Sequence, residues 1–167
     1  RLVNSGFSDD DEWSDEYEGV DSGWSMALGQ LKHWLETHPA SPREHTMLMH
    51  DAPGDPESVL PKFTTQAGLC SWLASAAELS EPLERGARVR LQLGEAGELE
   101  GEVLVRTARE VLLSWPERSA VLGLKAFRVR GQGTTKVALD VSSWGADHAS
   151  LVSTLDAAVA RLAGSLG

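Results

Sequence analysis

Apolar residues recur along this chain with two different periods. Trp24, Leu28, Leu31 and Leu35 are spaced i, i+4, i+7 and i+11, and Leu151, Leu155, Ala158 and Leu162 repeat that spacing near the C-terminus. Each set lies along one face of a helix. The first predicts a helix from about Tyr17 to Thr37, and the second a long terminal helix after Trp144. Between Gly86 and Ser143 the period shortens to two. In "RVRLQLG", Val89, Leu91 and Leu93 alternate with Arg88, Arg90 and Gln92; in "ELEGEVLV", Leu99, Gly101, Val103 and Val105 alternate with Glu98, Glu100 and Glu102. "REVLLSW", "SAVLGLKAFRVR" and "TTKVALDVSS" follow, separated by turns at "TAR", "PERS" and "GQG", and "GEAG" joins the first two runs. Five consecutive strands with one polar face each predict an antiparallel meander covered on one side. The amphipathic helix after Trp144 is the expected cover.

Ahead of the meander, "TMLMHD" reads as a short strand. Asp55 and Pro56 mark a helix start. "ESVLPKF" and "TQAGLCSWLASAAEL" read as a helix pair interrupted at Pro61. "HPASPREH" has two prolines and no period, so residues 38–45 are a linker. The fold class is α+β.

Both long helices follow similar strand-like segments. "RLVNSGF" aligns with "ALDVSSWG", with Leu2 over Leu139, Ser5 over Ser142 and Phe7 over Trp144. The end of one structural unit therefore occurs twice.

The segment "FTTQAGLCSWLA" (63–74), followed by "LEGEVLV", "REVLLSW" and "TTKVALDVSSWG", resembles the activator of heat-shock-protein-90 ATPase homologue family. That family belongs to the START-like (SRPBCC) helix-grip superfamily. The resemblance covers roughly residues 46–167, and residues 1–37 resemble the last strand and terminal helix of a preceding unit of the same kind. It implies a helix-grip fold, a curved antiparallel sheet around a long C-terminal helix, with a cavity between them and an extra N-terminal strand–helix segment. The expected organisation is the tail of a truncated first unit (1–37), the linker (38–45) and a START-like domain (46–167). Trp72, Trp115 and Trp144 are expected near the helix–sheet seam. The ligand-cavity candidates are Trp72, Leu91, Val103, Leu113, Trp115, Val137, Leu139, Trp144, Leu151 and Leu155.

Composition narrows the chemistry. The chain has 167 residues, 41% of them hydrophobic, and a net charge of −10. An acidic chain lacks the basic stripe that a nucleic-acid backbone requires. No apolar run is long enough to cross a bilayer as a helix. One cysteine, Cys70, excludes an internal disulfide and fits a cytoplasmic setting; beside Trp72 it reads as a buried small residue.

Catalytic signals are absent. Ser142, Asp147 and His148 lie too close in sequence to assume a triad, and "GADH" reads as a capped helix start. The five histidines form no i, i+4 pair, so no metal or cofactor is expected. The acidic run from Asp9 to Glu18 lacks the spacing of a calcium loop. The chain is expected to be a non-enzymatic domain that binds a small apolar ligand or a protein partner. A cyclase- or hydrolase-like enzyme using the same cavity, or an interaction module, is the alternative. The stripe on helix 17–37 needs a cover, from the adjacent domain or from a homodimer through that helix, the homodimer being slightly favoured.

Overall fold

A computed structural model describes residues 14–129, 133–145 and 147–166. The strand expected at "RLVNSGF", most of the acidic run and most of the "GQG" turn lie outside the described residues. Among the described residues there are four α-helices, α1 (Ser14–Thr37), α2 (Pro56–Thr64), α3 (Gln66–Cys70) and α4 (His148–Gly164). The strands are β1 (Glu44–Ala52), β2 (Ala76–Leu79), β3 (Arg88–Gln92), β4 (Glu98–Arg106), β5 (Glu110–Trp115), β6 (Ala120–Arg128) and β7 (Thr135–Ser143). They form one curved antiparallel sheet in the order β1-β7-β6-β5-β4-β3-β2. Hairpin connections build β3 to β7 in sequence, as the alternation predicts.

Local signals start and stop the helices. The Asp55 side chain accepts the Glu57 N–H (3.2 Å) at the N-terminus of α2, and Pro56 occupies the first turn, where its missing N–H costs nothing. Thr65 Oγ1 accepts the Gly68 N–H (2.9 Å) and so starts α3. Pro39 follows α1 and cannot extend it.

Three local expectations are corrected. The strand expected at 46–51 runs from Glu44 to Ala52, because all nine residues find partners on β7. "SAAEL" is not helical. Helix α3 ends at Cys70, and Ala76 to Leu79 pair with Gln92 to Val89 as a sheet edge, so strand pairing overrides the helix propensity of Ala, Glu and Leu. Cys70 is exposed rather than buried, because Leu69 and Trp72 take the inward positions of that short turn.

The sheet has two covered faces. On its inner face, Val89, Leu91, Val103, Leu113, Val137 and Leu139 form one apolar cluster with Leu151, Leu155 and Leu162 of α4. Phe63 of α2 and Trp72 after α3 complete it, their rings edge to face at 6.0 Å. The outer face was expected to be polar, yet every residue of β5 is buried on both sides. Helix α1 lies across the outer face, and Met26 packs with Leu112, Val121 and Trp144. Gly29 of α1 and Gly123 of β6 permit the close approach. A Cβ at position 29 would lie 2.3 Å from Val105 Cγ2, and one at 123 would lie 3.1 Å from Met26 Cε.

Candidate functional site

Nine of the ten residues expected at a cavity converge on the inner face. Leu91, Val103, Leu113, Trp115, Val137 and Leu139 come from four strands, Leu151 and Leu155 from α4, and Trp72 from the turn after α3. Each is at most 3% exposed. The indole N–H groups are satisfied, Trp72 donating to the Lys62 carbonyl (3.0 Å) and Trp115 to the Glu98 carbonyl (2.9 Å). Both rings are thereby fixed with their apolar faces turned into the cluster.

Trp144 does not join them. It follows Ser142 by two residues, so it shares the outward parity of Asp140 and Ser142. It stacks on His38 (5.0 Å between centroids) and packs tilted against His33 (5.6 Å), at the C-terminal end of α1. His33 has a lowered pKa, first through burial and then through the neighbouring His38.

Ionisable groups are held on both faces of the sheet. On the outer side, beneath α1, Lys125 Nζ lies 2.7 Å from Asp140 Oδ2, and His45 Nε2 lies 2.8 Å from Asp140 Oδ1. Ser22 of α1 donates to Glu110 Oε2 (2.5 Å), and the Gln30 amide reaches Asp140 Oδ2 at 3.5 Å. Burial raises the Glu110 pKa against the opposing effect of the Ser22 hydrogen bond. On the inner side, Arg109 and His148 are buried, but Arg109 precedes β5 while His148 adjoins Ser143, where β7 ends. The sheet register places these at opposite ends of the strands, since Glu110 pairs with Lys125 and Trp115 with Ala120, which pairs in turn with Ser143.

His148 is a structural link. Its Nδ1 meets Ser143 Oγ and its Nε2 meets Thr46 Oγ1, both at 2.9 Å, so one ring ties α4 to β7 and β1. Ser142 points the other way and donates to Gln30 Oε1 (3.4 Å), while Asp147 pairs with Arg118 (3.2 Å). The three residues do not assemble as a triad. Asp147 also makes no side-chain cap; it has a positive φ of 97° and leaves its carboxylate to Arg118. Among the described residues no group of three potential metal ligands occurs, and no helix is long and apolar enough to cross a membrane.

Residue periodicity did not reveal a groove of about 1200 Å³ on the outer face. It lies between α1 and strands β2 to β4. Lys32, Glu36, Glu78, Arg85, Arg88 and Glu100 are among the residues along it. Arg90, also on the groove, is held by Glu78, Glu98 and Glu100 at 3.2–3.7 Å. The alternating charges of β3 and β4 carried that signal. What they lacked was the position of α1, which forms the opposite wall.

The arrangement of a long helix held against the inner face of a seven-stranded antiparallel sheet decides the architecture. The fold is the helix grip. Solved helix-grip structures are similar to the chain throughout most of its length. Ginseng major latex-like protein 151 from Panax ginseng matches with a TM-score of 0.59 and 12% identity, over 75% of this chain and 98% of that one. The Aha1 dimer from Colwellia psychrerythraea matches with a TM-score of 0.54 and 16% identity, over 74% and 92%. DynU16, from the dynemicin biosynthetic locus, matches with a TM-score of 0.57 and 23% identity, over 75% of this chain and 48% of its own. The chain thus spans about half the length of DynU16. No protein-family profile and no curated protein sequence matches it.

Proposed function

We propose that this chain is a non-enzymatic START-like domain that takes up a small apolar ligand between the sheet and α4. The observation that supports it is the apolar lining of the inner face between its two ends. Trp72, Trp115 and a wall of aliphatic side chains line it, and its buried ionisable groups, Arg109 and His148, stand only at the two ends of the strands. Apolar pockets with few polar groups suit apolar ligands. A cyclase- or hydrolase-like enzyme needs an acid and a base converging on one bound substrate. Arg109 and His148 stand at opposite ends of the strands and do not form such a pair.

The test is titration with an environment-sensitive apolar dye, read by tryptophan emission, with native mass spectrometry of the purified protein. Quenching that disappears in Trp72→Leu/Trp115→Leu supports the reading. No emission change and no bound apolar mass would overturn it.

The close packing of the nine inner residues favours a second reading, a protein-interaction module whose interior is already filled. Resemblance to the heat-shock-protein-90 ATPase activator homologues makes a chaperone the first partner to try. Stimulation of that chaperone's ATP hydrolysis by the purified chain is the measurement; unchanged turnover removes it. The single cysteine fits a reducing cytoplasm for either role.

A further inference from the structure

Helix α1 turns its richer apolar face to solvent. It docks on the sheet through Ser22, Met26 and Gln30, spaced i, i+4 and i+8. Trp24, Leu28, Leu31 and Leu35 lie on the opposite side of the helix and are 42–55% exposed. The equivalent stripe of α4, Leu151, Leu155, Ala158 and Leu162, has the same spacing and is 0–3% exposed. A helix free to choose would bury its leucines against the sheet and leave serine and glutamine in water. Here the polar side is engaged, by Glu110, Asp140 and Ser142, and the apolar side is left for another surface.

We propose that α1 is the gripped helix of a second helix-grip unit, seated by this stripe on the apolar inner face of that unit's sheet within the same polypeptide. Three observations support that occupant. The stripe copies, residue spacing for residue spacing, the one by which α4 sits on β1 and β7. The segment "RLVNSGF" ahead of it resembles the "ALDVSSWG" strand ahead of α4. The similar region covers 48% of DynU16, which leaves length for one more such unit in that chain. Helix α1 then belongs to two units at once, gripped by one sheet and laid across the back of the other. The contacts of Ser22 and Gln30 fix the relative orientation of the two. The inference is independent of what the inner face of the present unit binds.

Thiol accessibility tests it. Leu28→Cys in a Cys70→Ser background is labelled with a maleimide in the 167-residue chain and in the polypeptide carrying the segment upstream of Arg1. Light scattering gives the mass of each, and circular dichroism checks folding. The expected result is rapid labelling of a monomeric 167-residue chain, slowed at least about tenfold in the longer polypeptide. Equal rates in both, or an upstream segment with no such unit, would overturn the proposal. So would a 167-residue dimer that protects the thiol and is dissolved by Leu31→Glu, which would give the stripe to a second copy.

Discussion

Gly29 of α1 and Val105 of β4 meet so closely that no other residue type fits at position 29. The added Cβ would lie 2.3 Å from Val105 Cγ2 and 3.4 Å from Leu112 Cδ2. Glycine weakens an isolated helix, so its presence here is a packing requirement. Gly29→Ala is expected to lower stability by about 1–3 kcal/mol, because the β-branched Val105 cannot swing aside. Gly23→Ala is the control. Nothing stands within 4 Å of a Cβ there, and the change is expected to stabilise by up to about 1 kcal/mol. Denaturant melts of the two variants give opposite signs if α1 docks as described.

Glu110, which accepts a hydrogen bond from Ser22 of α1, is expected to make stability depend on pH. Burial raises its pKa above the ordinary value of 4.5, so between the unfolded and the folded value the folded state binds more protons than the unfolded chain. Its neighbours act in both directions: Ser22, Lys125 and Arg109 lower the pKa, and Asp140 raises it. A raised folded pKa means stability that is complete below the unfolded value and is lost as pH rises through the folded one. Between those two values the wild-type protein should lose stability with rising pH, and Glu110→Gln should flatten that slope. Melts from pH 4 to pH 8 measure it. A slope unchanged by the substitution would assign the effect elsewhere.

The inner face was legible in the sequence because two periods met there. Val137, Leu139 and Val141 alternate with residues of the other face, while Leu151, Leu155 and Leu162 keep a helical interval, and all six are buried together. Trp144 shares the parity of Ser142, which puts it on the outer face with Met26 and Leu112, although the family resemblance implies a place at the helix–sheet seam. β2 was hidden because "SAAEL" has helix formers, and only pairing with a strand ten residues onward makes it extended. The docking face of α1 carried almost no signal. Ser22 and Gln30 are unremarkable until Glu110, Asp140 and Ser142, roughly a hundred residues later, are brought beneath them.

Leu155 and Leu31 stand on two stripes of the same spacing and should respond differently. Leu155 is buried against the inner cluster, and Leu155→Ala should cost about 2–5 kcal/mol. Leu155→Asp would add an unpaired buried charge and is expected to prevent folding. Leu31→Ala in the 167-residue chain should change stability by no more than about 0.5 kcal/mol, since the side chain is exposed. Comparable losses at both positions would mean that α1 is covered in solution.

His148 is expected to act through structure and not through chemistry. Its ring stands between Ser143 on β7 and Thr46 on β1, with 2.9 Å contacts on both nitrogens. Each hydroxyl can donate or accept, so both can orient to complement the ring nitrogen they face. Replacing the ring by an apolar one of similar size leaves two hydroxyl groups at the mouth of α4 without their partner. His148→Phe should therefore cost about 1–3 kcal/mol. If the loss comes from this link, Thr46→Val should cost less in the His148→Phe background than in the parent. The coupling expected for such a pair is about 0.5–3 kcal/mol in a double-mutant cycle. Hydrogen exchange adds the location, with faster exchange in the first turn of α4 and little change in β3 and β4. Full additivity of the two substitutions, with exchange in α4 unaltered, would show that His148 is not what holds the helix to the sheet edge.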